Sequence, residues 1–76
     1  MKFVELMESK KRELAMSNTQ FAEYIGKHRS WVVALFNPKT IQRPLRESTM
    51  CLLYEKLDIP FEVMEEYNRE VLESRG

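Results

Sequence analysis

The chain has 76 residues, enough for one small domain and too few for a second core. Twelve basic and twelve acidic side chains cancel, so net charge alone names no partner. One cysteine, Cys51, excludes an intrachain disulfide or a thiolate metal cluster, and no apolar run reaches the roughly 18 residues of a membrane span. The start, Met1 to Glu8, carries early acids and lacks the apolar stretch of a signal peptide. The expectation is a cytoplasmic protein in a reducing compartment.

Apolar spacing is helical nearly throughout, with no strand-like alternation. Phe3, Leu6, Met7 and Leu14 share one face of a first helix, whose wet side carries Lys10, Lys11, Arg12 and Glu13. Ser17-Asn18-Thr19-Gln20 reads as a capping box opening a short second helix, with Phe21, Ala22 and Ile25 inside. Gly26 ends it, as glycine does where the chain turns left-handed. Val32, Leu35 and Phe36 define a third helix that stops at Asn37-Pro38.

Pro38 to Arg43 is a polar, basic loop. Pro44 suits the first turn of a fourth helix, with Met50, Leu53, Tyr54 and Leu57 inward and Cys51 a small core residue. After the Asp58-Ile59-Pro60 break, a fifth amphipathic helix spans about 60–75, with Pro60 in its first turn. Its apolar residues are Phe61, Met64, Tyr67, Val71 and Leu72, and its outer face is acidic. The expected fold is all-α: one five-helix domain over 1–76.

Charge is distributed unevenly. Residues 1–46 carry nine Lys/Arg against four Glu, whereas residues 47–76 carry three against eight Asp/Glu. No acid falls between Glu23 and Glu47, a stretch holding Lys27, Arg29, Lys39, Arg43 and Arg46. Such asymmetry points the first half towards a polyanion or an acidic partner.

Two short helices joined by a Gly-containing turn form a helix-turn-helix candidate at about 18–37. Counting from Asn18, small Ala22 is fifth, Gly26 ninth and β-branched Val32 fifteenth. These positions need a close helix approach, a tight turn and an anchor for the second helix.

The stretch from Ser17 to Gly26, followed by Ser30-Trp31-Val32-Val33-Ala34-Leu35-Phe36-Asn37, resembles the helix-turn-helix of the phage lambda repressor and Cro family of small transcriptional regulators. The run from Leu57 to Val63 is similar to that family's junction between its fourth and fifth helices. The resemblance implies a lambda-repressor-like DNA-binding domain, and commonly a homodimer on a near-palindromic operator. Asn18 stands where the family usually has Gln, there is no basic arm before the first helix, and the Pro38–Arg43 loop is longer. The family's loop contacts are therefore not carried across.

On that resemblance Arg29 and Ser30 occupy base-reading positions, and Arg29 suits guanine O6 and N7. Asn18, Lys27, Asn37 and Lys39 would contact phosphates, with Asn18 also able to brace Arg29. Trp31 admits three placements: a half-buried core edge, a DNA contact or, with Val33, an anchor for a partner protein. Phe61, Met64, Tyr67 and Val71 are the expected dimer face.

Lone His28 reads as a turn residue. No metal spacing, phosphate cradle or converging carboxylate pair appears, so no enzyme, cofactor, metal or small-molecule substrate is expected. The leading expectation is a repressor that occupies double-stranded DNA. The alternative is an antirepressor that binds a phage repressor protein through the same surface.

Overall fold

A computed structural model describes residues 1–74. It is all-helical, with α1 Lys2–Glu13, α2 Asn18–Tyr24, α3 Arg29–Phe36, α4 Glu47–Leu57 and α5 Phe61–Ser74, and no strand among the described residues. Arg75, expected at the end of the fifth helix, lies outside the described residues. No described helix is long and apolar enough to cross a membrane.

Local chemistry explains most of the boundaries. Ser17 Oγ accepts from the Gln20 N–H at 3.2 Å, and Gln20 Oε1 accepts from the Ser17 N–H at 3.0 Å, so the capping box at α2 is complete. Gly26 takes φ +69°, which lets its N–H reach the Glu23 carbonyl and the Lys27 N–H reach the Ala22 carbonyl. That pair of bonds closes α2 in a Schellman turn. Ala15, at φ 52°, closes α1 in the same way, with the Ala15 and Met16 N–H groups on the Arg12 and Lys11 carbonyls. Asp58, also left-handed at φ 57°, ends α4.

The core runs through all five helices. Phe3 and Met7 of α1, Phe21 and Ala22 of α2, Val32 and Leu35 of α3, Met50, Leu53 and Leu57 of α4, and Val63, Met64, Tyr67 and Val71 of α5 are buried together. α2 packs on α3, while α1 and α4 pack on α5. The Phe3 and Tyr67 rings, 4.7 Å apart, tie the first helix to the last.

Several expected placements are corrected. Leu14 is exposed because α1 stops at Glu13 and leaves it at the cap. Cys51 is exposed and Tyr54 half out. The buried set Thr49, Met50, Leu53 and Leu57 centres the inner face of α4 elsewhere, about 145° from Cys51 and about 85° from Tyr54 at 100° per residue. Pro44 lies ahead of α4, not in its first turn, because the neighbouring Leu45 backbone is bonded to α5 and cannot join the helix. Pro60 sits just before α5, its carbonyl accepting from the Met64 N–H at 3.3 Å.

The expected dimer face is corrected too. Met64, Tyr67 and Val71 are buried in this chain's own core, and Phe61 is half-buried against Tyr54 at 5.1 Å between rings. A five-helix domain this small needs that face for itself. The exposed residues of α5 are Glu62, Glu65, Glu66, Arg69, Leu72, Glu73 and Ser74.

Candidate nucleic-acid interface

The head of α3 is set by its turn. His28 is its N-cap, with Nδ1 accepting from the Ser30 N–H at 3.1 Å and lying 2.9 Å from Ser30 Oγ. With Nδ1 as acceptor, the neutral ring carries its proton on Nε2. Arg29 and Ser30 follow as the first residues of α3, both exposed. Val32 and Leu35 bury the inner side of the helix, which leaves Ser30, Val33 and Asn37 on its outward face.

The expected contact residues fall into three places. Arg29 and Ser30 stand at the head of α3. On one flank, Asn18, Val33 and Asn37 line a shallow recess with Glu8, Lys11 and Phe36. Asn18 Oδ1 is buried there with no hydrogen-bond partner among the described residues. Asn37 Oδ1 accepts from the Lys39 N–H at 3.0 Å, so its side chain also shapes the chain's exit from α3.

On the other flank an open groove of about 1250 Å³ separates α3 from the segment 39–46. Lys27 and Trp31 form its α3 side, and Lys39, Ile41, Arg43 and Arg46 its far side. No acidic side chain lines it. Trp31 is half-buried, packed on the core edge while facing the groove, with Lys27 Nζ 5.5 Å from its ring centroid. Val33 is on the opposite flank and exposed, so the two residues do not form one apolar anchor.

The far wall is held by α5. Asn68 Oδ1 accepts from the Leu45 N–H at 2.6 Å, and Asn68 Nδ2 donates to the Leu45 carbonyl at 3.2 Å. The Tyr67 hydroxyl lies 2.9 Å from Gln42 Oε1 and 3.3 Å from the Arg43 carbonyl, and it can donate to either. Burial pushes the Tyr67 hydroxyl above its ordinary value near 10. Sequence reasoning missed these positioning residues. The partner positions lie 23 to 25 residues away, and no local pattern links them.

Electrostatically, the two ion pairs among the described residues both lie on α1: Lys10 with Glu13 at 3.8 Å, and Arg12 with Glu8 at 3.3 Å. Lys27, Arg29, Lys39, Arg43 and Arg46 join neither. Four of them, Lys27, Lys39, Arg43 and Arg46, line the groove on one flank of α3, and Arg29 is exposed at its head. No family model, curated protein or solved structure matches the chain.

Proposed function

We propose that this chain is a sequence-specific regulator that binds double-stranded DNA through a lambda-repressor-like helix-turn-helix and acts by occupying an operator. The observation that carries the reading is the head of α3. Arg29 and Ser30 stand clear of the core there, while Lys27, Lys39, Arg43 and Arg46 line the groove on one flank of the helix, with none of these cations in an ion pair among the described residues.

Affinity arises from cations that displace condensed counterions from phosphates, so it falls steeply with salt. Lys27 and Lys39 supply that term on the groove side, while Asn18 and Asn37 offer amides from the opposite recess. Specificity comes from Arg29, whose guanidinium donates two hydrogen bonds to guanine O6 and N7, and from Ser30 beside it. A cation already placed over an indole and a helix head locked by His28 keep this surface preorganised.

The test is anisotropy of labelled duplexes, including the promoter nearest the coding sequence, at low and moderate salt. Arg29→Ala should weaken the preferred site by about 1–3 kcal/mol and relax preference at one base pair. Unchanged affinity in that variant would overturn the assignment. A second reading has one observation behind it: Val33 is an exposed apolar residue on the outward face of α3, a feature suited to a repressor protein as partner. Tight capture of a repressor, lost in Val33→Asp and with no duplex binding, would replace the first reading by the second.

A further inference from the structure

We infer that a second copy of this chain docks the outer face of its α5 into the groove between α3 and the segment 39–46. This goes beyond the DNA-binding reading and does not require it. The groove is a concave surface lined by Lys27, Lys39, Arg43 and Arg46, with no acid among its lining residues and with Trp31 and Ile41 as its apolar contacts. α5 presents a surface with net negative charge: Glu62, Glu65, Glu66 and Glu73, all exposed and none in an ion pair among the described residues, surround one exposed cation, Arg69.

Each surface also carries an apolar knob. Ile41 is 80% exposed and Leu72 is 56% exposed, the two most exposed large apolar side chains among the described residues. Docking buries both, and burial of apolar area is the contribution that charge pairing alone lacks.

The two surfaces cannot meet within one chain. Tyr67, on the inner side of α5, lines the groove, and the four outer glutamates lie about 100–160° away around the helix. A chain whose charges cancel overall but separate into a basic groove and an acidic helix attracts copies of itself. The contact joins two different patches, so each copy offers one of each.

If DNA is the partner of the α3 surface, a docked copy covers Lys27 and Lys39, and self-association and duplex binding exclude one another. That consequence rests on the DNA-binding reading. The docking itself does not.

Sedimentation equilibrium of the full chain tests it without DNA, at about 20 mM and about 500 mM salt, where screening lengthens and shortens the reach of the charges. Wild type is expected above monomer mass at low salt and at monomer mass at high salt. Lys39→Glu/Arg43→Glu and Glu65→Lys/Glu66→Lys should each be monomeric at low salt. All four side chains are exposed, so circular dichroism should show both variants folded. An equal mixture should associate again, since each variant's altered surface complements the other's. A monomeric wild type at low salt, association retained in either variant alone, or a mixture that stays monomeric would each overturn the inference. Absence of duplex binding in wild type and in Glu65→Lys/Glu66→Lys alike would sink the DNA reading, while sedimentation still decides the docking.

Discussion

The α2–turn–α3 unit and the segment from Pro38 to Arg46 form the two sides of one groove, but different bonds hold them. In α2–turn–α3 the fastening bonds join residues two to five positions apart: Ser17 with Gln20, Lys27 with Ala22, Ser30 with His28. The segment opposite is fastened largely by Tyr67 and Asn68, 23 to 25 positions away on α5. Short-range bonds cost little chain entropy to close and need few tertiary contacts. Long-range ones exist only once α5 has packed. The shape of the groove therefore depends on α5, whereas the head of α3 depends on its own turn.

Removing the Asn68 clip breaks that comparison hardest. Asn68→Ala leaves the Leu45 N–H and carbonyl without their partner and should cost about 2–3 kcal/mol in denaturant unfolding. Amide exchange should quicken at Leu45 first, with protection through α2 and α3 falling only as global stability falls. Equal early loss at both places would show that the two sides of the groove open together.

Gly26→Ala probes the opposite side and should cost about 1–2 kcal/mol, because a residue with a Cβ is strained at φ +69°. The added Cβ would meet only Leu52 Cδ2, at 3.3 Å, the movable end of a side chain. The cost is thus conformational and local, and a thermal melt of the variant should show it. A neutral result would mean that the turn is not under the constraint its dihedral implies.

The smallest effect sharpens the comparison through pH. Tyr67→Phe removes one hydroxyl and should cost about 1 kcal/mol at neutral pH. Burial raises the folded-state value of this hydroxyl above the 10.0 of the unfolded chain. The folded protein then holds a proton that the unfolded chain releases, so this contribution is complete below pH 10.0 and is lost as pH rises further. Denaturation midpoints taken across that range should fall more steeply for wild type than for Tyr67→Phe. Parallel slopes would remove Tyr67 as the alkaline-sensitive fastening of the groove.

Five helices, the capping box at Ser17 and Gln20, and the left-handed Gly26 were legible in the residues because each is a local event. A hydroxyl or a missing Cβ acts within one turn of chain. The same locality explains one miss, since nothing about Ala15 marks it as the left-handed residue that closes α1. Arg29 and Ser30 were singled out by the family resemblance, and periodicity added only that Val32 and Leu35 face inward on that helix.

Tertiary structure decided the remainder. It turned Cys51 and Tyr54 outward and took Met64, Tyr67 and Val71 into the chain's own core. It set segment 39–46 against the Trp31 flank of α3 and left Val33, which helical spacing already puts on the opposite flank, exposed beside a shallow recess. Periodicity shows that a helix has an apolar face, but not whether this chain or another covers it. The answer depends on how much core the other four helices leave open, and here they leave a place for α5 that its inner residues fill.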